Sequence, residues 1–260
     1  MSIFVDVVGA DSGKPSLALL HGWGLNGAVW NSVRERLAKH FTLQIVDLPG
    51  HGYSRNVPLT TLDAAADLLA HALPNPTHLL GWSMGGQVAL TYARRYMPRI
   101  EKLVLVATTP RFVANNEWVH ATEAEVLDDF AQRLATNYGA TIRSFLALQT
   151  LQQPSARATI AALQAAMSER GEPSVASLQA GLHILRTSDL RAQLTEISPA
   201  TIVIQGDHDA LTPEPAARWM ANHLPNANYA LIQHAAHAPF LSHRELFFEQ
   251  VLNHLLPLPT

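Results

Sequence analysis

Residues 79–86 read Leu79-Leu80-Gly81-Trp82-Ser83-Met84-Gly85-Gly86, an apolar strand that runs into Gly-x-Ser-x-Gly and then into a helix. A serine in that position lies at a tight, strained turn with its hydroxyl raised above the sheet. Glycines are needed at the first and last positions of the motif because a side chain there would collide with the neighbouring helix or strand. The pentapeptide alone is a weak signal, but the strand before it and the amphipathic run Gln87 to Tyr96 after it predict that Ser83 is a nucleophile.

The first 110 residues alternate between short apolar runs and segments with helical periodicity. Continuous apolar runs of this kind, separated by helices, indicate a parallel sheet that is covered on both faces. We predict strands at 2–8, 16–20, 43–46, 78–81 and 103–107, the first of them at the edge of the sheet, and helices at 30–39 and 62–73.

The pattern changes between Arg111 and Thr187, where helical segments but no convincing strand are found. The predicted apolar helix faces consist of Val126, Leu127, Phe130 and Leu134, of Ile142, Phe145, Leu146 and Gln149, and of Ile160, Leu163 and Met167. Strands resume at 201–205 and 229–233, with helices at 216–223 and 245–255. The predicted class is therefore α/β, a mostly parallel central sheet flanked by helices, in which residues 1–110 and 188–260 form the core and residues 111–187 a helical lid insertion.

The bulk composition excludes several classes of function. The 260 residues are 48% hydrophobic and 15% charged, and their formal net charge of −3 gives no general attraction to nucleic acid or to anionic membranes. The absence of cysteine excludes disulfides, a thiol nucleophile and zinc–thiolate sites. The first 16 residues do not have the pattern of a signal peptide, and no apolar stretch approaches the roughly 20 residues that cross a bilayer. We expect a cytoplasmic monomer that needs no metal and no cofactor.

A serine hydroxyl needs a base to remove its proton, and that base needs an orienting partner. Catalytic groups in a parallel sheet collect at the carboxyl ends of the strands. After the strand at 201–205 the chain reads Gly206-Asp207-His208-Asp209-Ala210-Leu211-Thr212-Pro213, which offers two carboxylates. We prefer Asp209 as the acid because the turn carries it far enough past the strand to reach a histidine. Asp207 is the alternative, and its other interpretation is a turn residue that binds loop N–H groups.

The base should follow the last strand, because the chain order Ser, Asp, His is the one expected of the α/β-hydrolase fold. The loop there reads His234-Ala235-Ala236-His237-Ala238-Pro239-Phe240. We prefer His237, which lies in the loop before the last helix. His234 is still attached to the strand end and His243 lies near a helix start, so these are the alternatives.

A tetrahedral intermediate also requires hydrogen-bond donors for its developing negative charge. One donor is expected to be the backbone N–H of Met84, directly after the nucleophile. The other is expected from the loop His21-Gly22-Trp23-Gly24, where the N–H of Trp23 is the candidate and its side chain would form a wall of the acyl pocket. The alternative is that His21-Gly22 is a turn that merely closes the strand.

These motifs resemble the α/β-hydrolase superfamily over essentially the whole chain. A closer resemblance is to the pimeloyl-acyl carrier protein methyl ester carboxylesterases of biotin synthesis. It is carried by His21-Gly22-Trp23-Gly24-Leu25-Asn26, Val46-Asp47-Leu48-Pro49-Gly50, Gly81-Trp82-Ser83, Phe145-Leu146-Ala147-Leu148-Gln149 and His234-Ala235-Ala236-His237-Ala238-Pro239-Phe240. The run from Phe145 to Gln149 and the tryptophan beside the nucleophile are the more discriminating parts.

The resemblance implies a serine carboxylesterase that hydrolyses the methyl ester of pimeloyl-acyl carrier protein to pimeloyl-acyl carrier protein and methanol. Hydrolysis would unmask a carboxylate, which is costly to return to an apolar site. The alternatives are a broad short-chain carboxylesterase or a carbon–carbon bond hydrolase with the same triad, and a non-catalytic ligand-binding member of the fold. The expected substrate-binding residues are Trp23, Ser83, Met84, Phe145, Leu146, Ala147, Leu148, Gln149 and His237.

The resemblance also implies that basic residues of the lid contact the acidic carrier protein. Residues 111–187 hold six arginines but seven acidic residues, so only a local cluster could serve. Arg143 and Arg157 flank the Phe-Leu-Ala-Leu-Gln run and are the candidates. The alternative is that both belong to ordinary solvated helix faces.

Overall fold

The computed structural model describes residues 2–10, 13–153 and 155–256, and a mostly parallel sheet lies at its centre. In these residues the sheet has seven strands in the order β1-β3-β2-β4-β5-β6-β7, and β1 runs antiparallel to β3 while the other neighbours are parallel. The strands are β1 (Val5–Val8), β2 (Ser16–Leu20), β3 (Thr42–Val46), β4 (Thr77–Trp82), β5 (Ile100–Val106), β6 (Ala200–Gly206) and β7 (Ala227–Ile232).

The helices follow the strands along the chain. Helix α2 packs on α3, which packs on β4 and β5, whereas α8 and α10 pack on β6 and β7. The described helices are α1 (Asn31–Leu37), α2 (Leu62–Ala72), α3 (Met84–Arg95), α4 (Ala124–Thr136), α5 (Tyr138–Leu148), α6 (Ala156–Glu169), α7 (Val175–Thr187), α8 (Glu214–His223), α9 (Pro239–Ser242) and α10 (Arg244–Leu255). The predicted class, a mostly parallel central sheet flanked by helices, is confirmed.

The register of the sheet brings several strand ends together at one edge. Leu20 at the end of β2 pairs with Gly81 near the end of β4. Gly206 at the end of β6 likewise pairs with Ile232 at the end of β7. The loops that follow these strands therefore lie beside one another, and they carry the candidate catalytic residues.

The segment between β5 and β6 contains α4 to α7, but it does not begin as a helix. Residues 113–122 instead fold back through isolated bridges between Val113 and Thr122 and between Asn115 and Trp118. The indole of Trp118 donates a hydrogen bond of 2.9 Å to the carbonyl of Arg111 and its ring packs edge-on against Trp219. Most of these contacts are local, and the ring contact with Trp219 joins the segment to the core. The helical segments expected between Arg111 and Thr187 therefore begin at α4 in the described structure.

The two ends of the segment between β5 and β6 lie together. Arg111 forms a β-bridge with Asp189, and its guanidinium donates to Asp189 Oδ2 at 2.8 Å. On α4 the apolar face consists of Leu127, Phe130 and Leu134, whereas Val126 is 39% exposed and does not belong to it. None of the described helices combines the length and the apolar character that a bilayer span requires.

Candidate active site

Ser83 lies between β4 and α3 in a backbone conformation that side chains rarely adopt, with φ 57° and ψ −123°. The turn needs glycine on both sides: a Cβ at position 81 would lie 2.5 Å from the carbonyl oxygen of Gly85, and a Cβ at Gly85 would lie 2.5 Å from that of His21. Thr108, which follows β5, stabilises the turn, because its hydroxyl donates to the carbonyl of Ser83 at 2.7 Å. This threonine was not predicted, since it is far from the motif in sequence.

The structure brings His237 to the serine. Its Nε2 lies 2.9 Å from Ser83 Oγ, and its Nδ1 lies 2.8 Å from Asp209 Oδ2. The carboxylate accepts the proton on Nδ1, which leaves Nε2 free to accept the serine hydroxyl. Two further bonds hold the loop: the indole of Trp82 donates to the His237 carbonyl at 2.7 Å, and the His237 N–H donates to the carbonyl of Gln149 at 3.1 Å.

Asp209 is buried and receives hydrogen bonds at both oxygens. Its Oδ1 accepts from the N–H groups of Leu211 and Thr212, and its Oδ2 accepts from the Thr212 hydroxyl and the Gln205 amide in addition to His237. Burial by itself raises the pKa of a carboxyl group, but the charge of His237 and the hydrogen bonds from His237 and Thr212 outweigh it, so the pKa of Asp209 lies below its ordinary value. The side chain therefore stays anionic and orients the imidazole.

The competing candidates lie outside this hydrogen-bonded series. Asp207 is exposed, and Nε2 of the His208 ring lies 4.0 Å from its carboxylate oxygen Oδ1. His234 is exposed at the start of the loop, and the ring of His243 lies 2.9 Å from the Ser242 hydroxyl.

The two candidate oxyanion donors flank Ser83. Met84 is the first residue of α3, and Gly22, directly before Trp23, is so close that a Cβ there would lie 3.2 Å from Ser83 Cβ. Among the residues that the structure describes, neither the N–H of Trp23 nor that of Met84 has a hydrogen-bond partner. Both backbone donors are thus available next to the serine hydroxyl.

Two buried histidines hold the loop that carries Trp23. His21 Nε2 accepts from the N–H of Leu48 at 2.9 Å, and His51 Nε2 accepts from the N–H of Gly24 at 3.2 Å. Burial lowers the pKa of His51 to about 4 and lowers the pKa of His21 well below its ordinary value. His51 lies in a polar stretch of sequence that is typical of a surface loop. It is fully buried because Asp47-Leu48-Pro49-Gly50 folds under the Trp23 loop.

Known proteins are similar to this chain in sequence and in fold. The family profile described as alpha/beta hydrolase fold matches residues 15–244. A pimeloyl-[acyl-carrier protein] methyl ester esterase of Nitrosomonas europaea is 42% identical over 246 residues, which cover 95% of this chain and 96% of that protein. One of Chromobacterium violaceum is 41% identical over 255 residues, 98% of each protein. The chain belongs to the pimeloyl-acyl carrier protein methyl ester esterases of the α/β-hydrolase family.

The family resemblance that the sequence motifs predicted is therefore confirmed. Among solved structures, an esterase from Exiguobacterium antarcticum superposes with a TM-score of 0.86 at 22% sequence identity, covering 96% of this chain and 94% of that one. At this identity the similarity shows the α/β-hydrolase fold alone.

The run from Phe145 to Gln149 lies at the end of α5, against the Trp23 loop. The ring of Phe145 meets the Trp23 indole edge-on at 4.6 Å. Helix α7 packs on the same indole: Trp23 Nε1 donates to the Leu178 carbonyl at 2.9 Å, and a Cβ at Gly181 would lie 2.5 Å from the ring. Leu146 is buried in the core.

Two residues of the run open toward the surface instead. Ala147 and Leu148 line a groove of about 590 Å³ between α4 and α5, together with Phe130 and the exposed Leu151. The groove does not include Ser83. Phe130 connects the two regions, because its ring lies edge-on to Phe145 at 6.2 Å.

Gln149 ends the run and is unusual among the buried polar residues. Its side chain is fully buried, yet in the described part of the chain neither its amide nitrogen nor its amide oxygen has a hydrogen-bond partner. Its backbone carbonyl binds the N–H of His237. A free donor and a free acceptor thus belong to the residue whose backbone binds that of His237, and leaving them unpaired costs free energy.

The two arginines selected for the carrier protein are exposed on neighbouring helices, Arg143 on α5 and Arg157 near the start of α6. In the described residues neither guanidinium forms an ion pair. The other arginines of this segment are all paired: Arg111 with Asp189, Arg133 with Asp129, Arg170 with Asp6 and Asp47, and Arg186 with Asp128.

Proposed function

We propose that this chain is a serine carboxylesterase that hydrolyses the methyl ester of pimeloyl-acyl carrier protein to pimeloyl-acyl carrier protein and methanol. The observation that carries the proposal is the hydrogen-bonded series from Ser83 Oγ through His237 to Asp209, with distances of 2.9 and 2.8 Å. The relatives bear the name of this activity and match nearly the whole chain, which supports the same substrate here.

The reaction proceeds in two steps. The Ser83 hydroxyl attacks the ester carbonyl while His237 takes its proton, and the Trp23 and Met84 N–H groups donate to the oxyanion that forms. His237 then gives the proton to the departing methoxide, and methanol leaves an acyl-serine. Water, deprotonated by the same imidazole, hydrolyses this ester and restores the hydroxyl. Asp209 remains ionised throughout and stabilises the imidazolium.

The acyl chain occupies a site beside the Trp23 loop. The aromatic contact between Trp23 and Phe145 supplies an apolar wall, with Leu146, Ala147 and Leu148 completing the run. The methylene chain loses no hydrogen bonds on entering such a site. Gln149 supplies the polar contact, since its buried amide has a donor and an acceptor unused.

The carrier protein docks on the insertion. Arg143 and Arg157 support this because they are exposed and unpaired in the described structure, on a surface whose other arginines are neutralised. Unpaired guanidinium groups accelerate the approach of an acidic partner and are screened by salt. Residues 111–187 act as the lid above the α/β-hydrolase core. The triad is complete within one chain, which supports a monomer, and the cysteine-free sequence suits the reducing cytoplasm.

Comparing substrates by kcat/KM tests this function. We expect kcat/KM for pimeloyl-carrier methyl ester to exceed that for a short-chain aryl ester by at least about 100-fold. The products should be pimeloyl-carrier protein with a free carboxylate and one methanol per turnover. A broad short-chain esterase would instead hydrolyse the aryl ester equally well or better. A carbon–carbon bond hydrolase would prefer a ring-cleavage diketone. Either result would contradict the proposal.

A further inference from the structure

Three polar side chains gather on the outer side of the catalytic loops, where the mechanism does not use them. They are Asp207, His208 and His234, and each offers a ligand atom within 4.8 Å of the other two. Asp207 and His208 follow β6, and His234 follows β7. The side chains of Asp207 and His208 are each 29% exposed, so solutes reach them.

The hydrogen bonding of His208 is that of a metal ligand. Its Nδ1 lies 3.2 Å from the backbone carbonyl of Gln152 and donates to it. The other ring nitrogen, Nε2, then carries the free lone pair, and it lies 4.0 Å from Asp207 Oδ1. Histidines that bind metals almost always donate their second nitrogen to a carbonyl or a carboxylate, which fixes the tautomer and the ring orientation.

The two loops are already held together by the backbone. The N–H of His208 donates to the carbonyl of Ala235 at 2.9 Å, and Gly206 is required because a Cβ there would collide with the same carbonyl. The rings of His208 and His234 meet edge-on with centroids 5.6 Å apart. The three ligands therefore need only side-chain rotations to converge. Around an ion with bonds of about 2.0–2.2 Å, tetrahedral ligand atoms lie about 3.4 Å apart.

We propose that Asp207, His208 and His234 form a binding site for a divalent transition-metal ion, with Zn²⁺ as the best match. Two imidazoles and one carboxylate are borderline ligands that suit Zn²⁺, and this d¹⁰ ion imposes no geometry of its own. Water would complete the coordination. The sequence led to the expectation that no metal is needed. The absence of cysteine, however, excludes thiolate sites only.

The ion would clip together the loops that carry the acid and the base of the triad. Asp207 precedes Asp209 by two residues, and His234 precedes His237 by three. The ion takes no part in ester hydrolysis, so the proposal stands or fails independently of the proposed function.

Calorimetric titration of the full, tag-free chain with ZnCl₂ tests the site. We expect the wild type to bind one ion per chain, and His234→Asn and Asp207→Asn to bind it at least about tenfold more weakly. Even the loss of a group that only hydrogen-bonds to a metal ligand lowers metal affinity by about 10- to 100-fold. Asparagine suits position 234 because the backbone there is left-handed, with φ 61°. The control is His223→Asn, which removes an exposed histidine whose Nδ1 also contacts a backbone carbonyl. Its affinity should equal that of the wild type.

A melting experiment separates loss of the site from misfolding of a variant, because each protein is compared with itself with and without Zn²⁺. At about 100 times its Kd, Zn²⁺ should raise the Tm of the wild type and of His223→Asn by roughly 5 °C or more, and should leave His234→Asn nearly unchanged. Anomalous scattering from a Zn²⁺-soaked crystal should show a peak between the three side chains. No binding, equal binding by all variants, or a peak elsewhere would overturn the proposal.

Discussion

The indole N–H of Trp82 donates a hydrogen bond of 2.7 Å to the backbone carbonyl of His237. The residue directly before the proposed nucleophile Ser83 thereby holds the loop that carries the proposed base. The rings of Trp82 and His237 also pack together, with centroids 5.5 Å apart. The distance between Ser83 and His237 thus depends on a side chain that does no chemistry.

Trp82→Phe should lower kcat by about 10- to 100-fold, because a small misplacement of the base is costly and the His237 carbonyl loses its donor. Leaving that buried carbonyl unpaired should also reduce the free energy of unfolding by about 1–3 kcal/mol. Kinetics on pimeloyl-carrier methyl ester and urea denaturation measure the two effects. Trp219→Phe, at a partly exposed tryptophan, serves as the control. Wild-type kcat in Trp82→Phe would show that the indole has no positioning role.

Asp209→Asn should reduce kcat by about 10⁴, because the amide cannot hold His237 in the tautomer whose Nε2 accepts the serine proton. The effect should appear in kcat more than in KM. Asp63→Asn, which removes an exposed carboxylate far from the site, should behave as the wild type. Nearly full activity of Asp209→Asn would mean that another carboxylate orients the base.

Burial of His51 predicts a specific loss of stability in acid. Its pKa in the folded protein is lowered to about 4, whereas an unfolded histidine titrates near 6.5. Between these values the unfolded chain binds the extra proton, so the free energy of unfolding falls as the pH falls from about 6.5 to about 4. The expected contribution from this residue between pH 7 and pH 5 is a loss of about 2 kcal/mol.

Denaturation of the wild type and of His51→Gln across this range measures that contribution. The difference in unfolding free energy between the two proteins should shrink as the pH falls, because only the wild type has the histidine to protonate. Parallel stability curves would contradict the assignment of His51 as a buried neutral residue.

Arg143→Glu combined with Arg157→Glu should raise KM for the carrier-linked ester by about tenfold or more and leave kcat/KM for a small aryl ester unchanged. The increase should shrink at high ionic strength, since exposed charges are screened. Lys39→Glu reverses one charge at an exposed residue outside residues 111–187 and should have no effect on either substrate. Equal loss on both substrates would mean that the double variant damages the site rather than carrier docking.

The sequence was informative where function rests on local chemistry. Gly-x-Ser-x-Gly requires its glycines for steric reasons. The structure shows the same constraint, because a Cβ added at Gly81 or Gly85 would collide with a backbone carbonyl. Short apolar runs predicted the strands to within a few residues. The prediction for β5 was the least accurate, because the exposed Glu101 and the half-buried Lys102 interrupt the apolar run at its start. The order of serine, acid and base followed from strand ends that the register brings together.

The remaining features depend on contacts between distant segments. Thr108 and Gln205 belong to no sequence motif. Their roles appear only in the folded chain, where Thr108 binds the carbonyl of Ser83 and Gln205 binds the carboxylate of Asp209. His51 reads as a loop residue until the chain folds over it. Helix α7, over Val175–Thr187, had no separate prediction, although Ser174, whose hydroxyl oxygen accepts from the N–H of Ser177 as an N-cap, could have indicated the start.

The central claim is that Ser83 is the nucleophile, and turnover of pimeloyl-carrier methyl ester by Ser83→Ala tests it most directly. Ser168→Ala, at an exposed serine of α6, is the matched control and should retain wild-type turnover. We expect Ser83→Ala to fold normally, as judged by its melting temperature, and to lose kcat by roughly 10⁴–10⁶. Methanol release within about tenfold of the wild-type rate would contradict the account.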